Sequence, residues 1–394
     1  MRICIVGGIF GMSDEYRKTV TWAPETVLAA GLEARGHSVA TVGHGGPVRY
    51  SDFDVVHVHH LARGAVVAAL DRSMTPLVFT PHSRAPIGIK RAAFHFVVNR
   101  SDALVSLAAA LVPPQNRRAA EGDTIRVVIP NGIPVEGWKL RTARPPHPGE
   151  PWRILYAGQL IPGKRVDLLI QALAHLVPSH DVTMELAYNN DRCECSLRRM
   201  AAEAGVAGRT AFLGVLPQTI LAEAYRRANI VVLPSDSEYL PSVLTEAMLC
   251  GTPVIGTDVG AIREQVDQFG IVVPPGNAAA LTDAIARMIR DYGKFSALSE
   301  AMTSSARERY SVGSMLDAHE ERVGKNSAMH CASMSTKSTA AKAAVSGQTA
   351  ATRSPQLSAS VTPKVTFAKR RWAGFRLVDR TISIGSVNAK RIKR

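Results

Sequence analysis

The sequence predicts two doubly wound α/β domains that face one another across a cleft. Three observations carry this reading. A chain of 394 residues is longer than one ordinary core fills and suits two. Short apolar runs alternate with helical patterns, which is the rhythm of parallel strands joined by crossover helices. That rhythm restarts once, after the proline-rich stretch "TARPPHPGEPW" at 142–152.

In the first half, "RICIVGG" is a buried strand running into a glycine turn. The long polar segment Ile9 to Trp22 reads as a loop. "APETVLAAGLEARGH" is an amphipathic helix stopped at Gly36, and "SVATVG", "DVVHVHH", "PLVFTPH", "DALVSLA" and "IRVVIPNGI" are the following strands. In the second half "RILYAGQL", "VTMELAY", "TAFLGVL", "NIVVLPS" and "TPVIGT" are strands, with "RVDLLIQALAHLV" and "NAAALTDAIARMIRD" among the helices. The expected division is a domain at 1–143, a hinge at 144–152 and a second domain at 153–310. A closing helix at 311–324 returns to the first domain, and a tail occupies 325–394. Such a pair places a ligand between the domains, at the carboxyl ends of the strands.

The net charge of +14 suggests nucleic acid until it is located. Residues 325–394 hold fourteen Lys/Arg against one acid, Asp379, a net of +13, so residues 1–324 carry only +1. The Ser/Thr/Ala-rich tail reads as disordered. Its end mixes cations with Trp372 and Phe375, which suits peripheral contact with an anionic membrane better than nucleic acid. A solvated extension without a partner is the plainer reading. No apolar run reaches the roughly 18 residues of a membrane helix, and the N-terminus lacks a signal-peptide pattern. Five scattered cysteines suggest reduced thiols, so the expected place is the cytoplasm, with the inner membrane face as a second address. "CEC" at Cys193 to Cys195 has no second ligand pair at zinc spacing. His57 and His59 share a strand face and lack a third ligand in the sequence pattern, so they read as structural or cleft-lining. No metal and no cofactor are expected.

The chemistry concentrates in "SEYLPSVLTEAMLCGTPVIGTDVGA", Ser237 to Ala261. "PSVLTEAMLC" is helical until Gly251, with Ser242 as the expected N-cap. First-turn amides around Val243 to Thr245 are then free to bind a phosphate. Glu246 lies about 6 Å further along the axis at 1.5 Å per residue, where a ribose on that phosphate would reach it. Glu238 precedes the helix, on the side where a sugar on the distal phosphate would sit. Two ordinary helix-start acids are the bland alternative. The glycine turn of "GGIFGM" offers Gly7 and Gly8, whose missing side chains let backbone N–H groups approach the distal phosphate. "TPH" places His82 at a strand end facing the cleft, a histidine buried in a turn being the plainer alternative.

On these residues the chain resembles the retaining glycosyltransferases of family 4, which have the GT-B fold. The match comprises Glu238, Pro241, Glu246, Ala247, Met248 and Gly251 to Ala261, with "FLGVL", "VVPPGN", "VIPNGI" and "APE…L…RGH" in the same order. It covers about residues 1–323. The resemblance implies that Glu246 holds the nucleotide ribose and Glu238 the transferred sugar. Amides after Leu240 would meet sugar hydroxyls, and those near Leu244 and Thr245 the diphosphate. Lys164, in "AGQLIPGKRVD", would neutralise the diphosphate, and His82 would lie near the reacting sugar. Gln159 stands where the family usually has arginine, with Lys164 or Arg165 as substitutes for the missing cation. "ELAYNND" stands where a Gly-x-Gly turn is usual, and Asn189 and Asn190 are expected to reach positive φ there.

The implied activity is metal-independent transfer of a hexose-type sugar from a nucleoside diphosphate sugar to an acceptor hydroxyl, with retention and with Glu238, Lys164 and His82 as catalytic residues. UDP is the first guess for the donor; lipid, polysaccharide and small-molecule aglycone all stay open as acceptors. Three rivals remain. One is a sugar-nucleotide epimerase of the same fold, and another is an inactive binding protein working through its tail. The third is a metal-dependent transferase using "DFD" at Asp52 to Asp54, disfavoured because an apolar strand follows at once and the second half would have no place.

Overall fold

The computed structural model describes residues 1–19, 23–71, 75–83, 88–112 and 124–324, which fall in one compact unit. The readings made for the tail lie outside the described residues. Two parallel six-stranded sheets form the molecule. The first contains β1 (Arg2–Val6), β2 (Ser38–Val42), β3 (Val55–His59), β4 (Leu77–Thr80), β5 (Ala103–Ser106) and β6 (Ile125–Val128) in the order β2-β1-β3-β4-β5-β6. The second contains β7 (Trp152–Gly158), β8 (Val182–Tyr188), β9 (Thr210–Gly214), β10 (Ile230–Leu233), β11 (Val254–Thr257) and β12 (Gly270–Val273) in the order β12-β11-β10-β7-β8-β9. Strands such as β3, β4, β5, β10 and β11 are buried along their whole length. That explains their unbroken apolar runs, because helices cover both faces of a parallel sheet.

The strand order fixes where ligands bind. Each sheet winds one way and then returns, reversing between β1 and β3 in the first and between β7 and β10 in the second. Loops leaving such neighbours part in opposite directions and open a crevice at their carboxyl ends. Gly7–Gly8 and His60 leave the first switch point, and Gln159–Lys164 and Ser235–Glu238 leave the second.

Four local readings are corrected. Ile9 to Trp22 is not a bare loop: it holds a 3₁₀ turn, Ile9–Gly11, and a helix, Asp14–Thr19, with acids in its first turn. β12, which runs into the motif "VVPPGN", has four residues, too few to show a period. The helix Ser242–Leu249 has Pro241 as its N-cap. Proline's fixed φ suits the entry to a helix, and Ser242 turns its hydroxyl to Glu246 instead. Neither Asn189 nor Asn190 reaches positive φ; the turn closes because the Asn190 carboxamide oxygen accepts from Arg192 N–H at 3.1 Å.

The helix Val312–His319 lies against the first sheet. Met315, Leu316 and Val323 share a core with Ile3, Ile5 and Leu28. Gly31, in the helix Pro24–Ala34, leaves room for Leu316: a Cβ there would stand 2.6 Å from Leu316 Cδ1. Arg35 adds ion pairs to Asp317 and Glu320, and the His37 ring hydrogen-bonds Glu320 at 2.9 Å. Among the described residues no helix is long and apolar enough to cross a membrane.

Candidate active site

The second switch point is assembled from two loops tied together. After β7 the chain turns at Gly158, with φ +150°, and the buried Tyr156 hydroxyl donates to Gln159 O at 2.7 Å. The 3₁₀ turn Pro162–Lys164 follows, and Gly163 O accepts from Asp236 N–H at 2.9 Å. After β10, Ser235 is held by Thr257, whose hydroxyl donates to Ser235 O at 2.6 Å. With both loops fixed, Lys164 Nζ reaches Glu238 Oε1 at 2.6 Å, and Ser235 Oγ donates to the same oxygen at 2.7 Å. The Glu238 side chain is 9% exposed and that of Lys164 23%. The two residues read from the sequence as sugar ligand and phosphate ligand therefore meet each other directly. Neither Ser235 nor this pairing was foreseen, although Ser235 lies three residues ahead of Glu238 at a strand end.

The "GTPVIGTDVGA" stretch supports this loop by close approach. Gly260, at φ +59°, packs so tightly that a Cβ would stand 2.3 Å from Glu238 O. Ala261 N–H bonds Tyr239 O at 2.9 Å.

Glu246 is buried behind the helix tip. Tyr225, itself fully buried, donates its hydroxyl to Glu246 Oε2 at 2.8 Å. Burial pushes the Glu246 carboxyl up to about 7, moderated by hydrogen bonds from Tyr225 and Ser242. Tyr225 was missed because it sits on the inner face of another helix, Gln218–Arg227, where nothing local marks it. Leu244 is fully buried, so only its amide can serve a ligand. The Thr245 hydroxyl is occupied, accepting from Gln265 Nε2 at 2.7 Å. Pro241 has no N–H, so the amides following Leu240 begin at Ser242. Leu240 and Tyr239 pack on Leu107, Ala108 and Leu111 of the first half, and Glu264 accepts from Ala109 and Ala110 N–H at 3.1 and 3.0 Å.

Two further candidates lie on the same turn. Gln159 is exposed at the mouth of the turn. Arg165, in the left-handed conformation at φ 51°, is clamped between Asp167 at 3.0 Å and Asp236 at 3.2 Å. Two carboxylates already satisfy its guanidinium, so it is not a free substitute for the missing arginine.

Across the cleft, Gly7 serves packing: its N–H bonds Val42 O at 3.0 Å, and a Cβ would stand 2.8 Å from Glu25 Cγ. Gly8 begins the 3₁₀ turn beside the His44 ring. His82 Nε2 meets His59 Nδ1 at 2.9 Å, and its ring lies 4.4 Å from that of His60. His60 is held at φ 66° with Nε2 3.7 Å from the buried Glu25. Burial and then His60 lower His82 to about 3, so it is a neutral imidazole at physiological pH. His57 and His59 are lowered by burial and by their neighbouring rings. They do have further histidines close by, His82 and His319, which the linear pattern did not show. Among the described residues no group of three or more His, Cys, Asp or Glu is arranged to hold a metal ion.

The comparisons with known proteins now fit onto this geometry. A sequence profile of the family "Glycosyl transferases group 1" matches residues 141–309. A D-inositol 3-phosphate glycosyltransferase of Xylanimonas cellulosilytica is 30% identical over 291 residues, 65% of this chain and 68% of the relative. The chain belongs to the group 1 glycosyltransferases. The corresponding protein of Frankia alni is 28% identical over 60% of this chain and 66% of its own length, so the chain spans only part of the curated relatives it matches. Among solved structures, sucrose-phosphate synthase from Thermosynechococcus elongatus superposes with a TM-score of 0.66 at 16% identity, covering 82% of this chain and 98% of the other. Anabaena HepE in complex with UDP and glucose gives 0.65 at 18% identity, covering 82% and 100%. These likenesses show the GT-B fold, with its two facing sheets.

Proposed function

We propose that this glycosyltransferase moves a hexose-type sugar from a nucleoside diphosphate sugar, UDP-linked as the first choice, to an acceptor hydroxyl with retention. The observation that carries the reading is the meeting of Lys164, Glu238 and the first turn of the helix Ser242–Leu249 at one switch point. A cation, a carboxylate and free amides at one place suit a diphosphate bearing a polyhydroxylated group. The structure of HepE with UDP and glucose supports the choice of donor.

In this reading residues 1–143 are the acceptor side and 153–310 the donor domain, with 144–152 between them. The diphosphate lies on the free first-turn amides from Ser242 to Leu244, facing Gly8. Lys164 swings from Glu238 to the phosphate, and Glu238 turns to the sugar hydroxyls it then has room to accept. Glu246 accepts from the ribose, its orientation set by Tyr225. The bond from the anomeric carbon to the diphosphate oxygen breaks, and the acceptor oxygen bonds that carbon on the same face. The acceptor's proton passes to the departing phosphate. The protein's contribution is preorganised charge at the leaving group, supplied by Lys164 and the amides, so the transfer needs no metal. Neutral His82 offers a hydrogen bond beside the sugar, not a charge. Closure of the cleft excludes water. Gln159 supplies no charge at the place where arginine is usual, which leaves Lys164 as the cation of this site.

Incubating the protein with UDP-, GDP- and ADP-sugars and following both thermal shift and nucleotide release with a panel of hydroxyl acceptors tests this reading. Stabilisation by one nucleotide series, reduced in Lys164→Ala, is expected. Stabilisation by none of them would overturn it.

A further inference from the structure

A cationic recess lies where residues 141–150 meet the second sheet, and the transfer reaction makes no use of it. Arg141 and Arg144 come from the linker, Arg153 from the first residues of β7, and Arg226 and Arg227 from the end of the helix Gln218–Arg227. Among the described residues, Glu150 is the one carboxylate in the lining. The recess lies at the amino ends of the central strands, the donor site at their carboxyl ends. Arg153 and Gly158 are separated by about 17 Å along β7 at 3.3 Å per residue.

Part of this cluster has an ordinary explanation. Arg226 and Arg227 favour the negative end of their helix and pair with Glu223 and, at 3.6 Å, with Glu185. Arg153 reaches Glu150 only at 3.9 Å. Arg141 and Arg144 have no such account. Among the described residues neither has a carboxylate partner; Arg141 places one N–H on Arg226 O at 2.9 Å. Their backbone is fixed as well. Arg141 N–H bonds Cys250 O at 3.1 Å, and Arg144 O accepts from Asn229 Nδ2 at 2.9 Å. Pro145 and Pro146 follow directly and restrict the chain further. Five arginines thus line a cavity of about 70 Å³, the scale of one phosphate group. Crowded like charges repel, and planar forks with open N–H pairs match tetrahedral oxyanions bidentately.

We propose that this recess binds a phosphate-bearing anion, either a soluble phosphate or diphosphate or the phosphate of a lipid headgroup. The test is titration calorimetry of inorganic pyrophosphate into the full chain and its variants. Wild type is expected to show a saturable site that persists in Lys164→Ala, because that change disables only the donor site. Arg144→Glu alters an exposed side chain and should weaken the site tenfold or more, charged hydrogen bonds being the ones lost. Its donor KM should not change. Arg144→Lys keeps the charge without the fork and should fall between.

Binding unchanged in Arg144→Glu and lost in Lys164→Ala would overturn the proposal, as would binding in neither protein. Titration of UDP into the same variants reads the donor assignment separately, so the two readings fail independently. Vesicles of phosphatidylcholine with phosphatidic acid distinguish the sources. Retention that falls in Arg144→Glu and is released by pyrophosphate points to a headgroup. Retention equal in both proteins, with the calorimetric site intact, points to a soluble anion.

Discussion

Replacing Glu246 by glutamine should make this protein more stable and a poorer enzyme. The carboxyl is 6% exposed, and desolvation raises its pKa from 4.5 to about 7. An unfolded chain releases that proton near 4.5, so between pH 4.5 and 7 the native state binds more protons than the unfolded state. Stability therefore falls as pH rises through this window. At 1.36 kcal/mol per unit, the full loss above pH 7 is about 3 kcal/mol. Glutamine keeps the volume and an oxygen to accept the Tyr225 hydroxyl, and it never ionises. Glu246→Gln should match wild type near pH 4.5 and exceed it by about 3 kcal/mol at pH 8. With an unfolding entropy of about 2.1 cal/mol/K per residue, that corresponds to roughly 4 °C in Tm. The gain should come with a donor KM raised roughly tenfold or more, since an amide oxygen is a weaker acceptor for ribose hydroxyls than a carboxylate. Thermal unfolding of both proteins from pH 5 to 8, with donor kinetics at pH 8, reads both effects. A stability difference that stays flat across this range, or a variant less stable at pH 8, would refute the desolvation argument.

Other expectations follow from the same geometry. Lys164→Ala removes the cation proposed for the leaving group and leaves Glu238 without its ion pair, so kcat should fall roughly 10²- to 10³-fold; single-turnover kinetics would show whether chemistry is the step affected. Tyr225→Phe frees the Glu246 carboxylate to turn, and donor KM should rise about three- to tenfold with kcat little changed. A kcat loss without a KM change would contradict its positioning role. Gly260→Ala puts a Cβ 2.3 Å from Glu238 O at φ +59°, so the loop must move, at a cost of roughly 1–3 kcal/mol, and turnover should fall with it. Urea unfolding and kcat measured on the same preparation test both parts.

The strands were legible because burial on both faces leaves long apolar runs, and the switch points follow from their order. β12 escaped because four residues between Phe269 and Pro274 carry no period. Glu238 and Glu246 were legible as a pair from their spacing around a helix start. What they touch was not. The Lys164–Glu238 pair joins residues 74 apart through two loops whose approach depends on Gly163, Ser235 and Gly260. The Tyr225–Glu246 bond depends on how two helices pack, and the capture of Arg165 depends on Asp236 from the facing loop. Residue type alone predicts Ser242 as the cap. Pro241 takes that position because its φ is already set, and the serine hydroxyl goes to the nearby carboxyl instead.

A crystal structure with a nucleoside diphosphate bound tests the central claim most directly. The diphosphate should rest on the backbone N–H groups that open the helix Ser242–Leu249, with Lys164 Nζ moved from Glu238 onto a phosphate oxygen and the ribose hydroxyls on Glu246. A nucleotide bound elsewhere, with the Lys164–Glu238 pair intact, would contradict it.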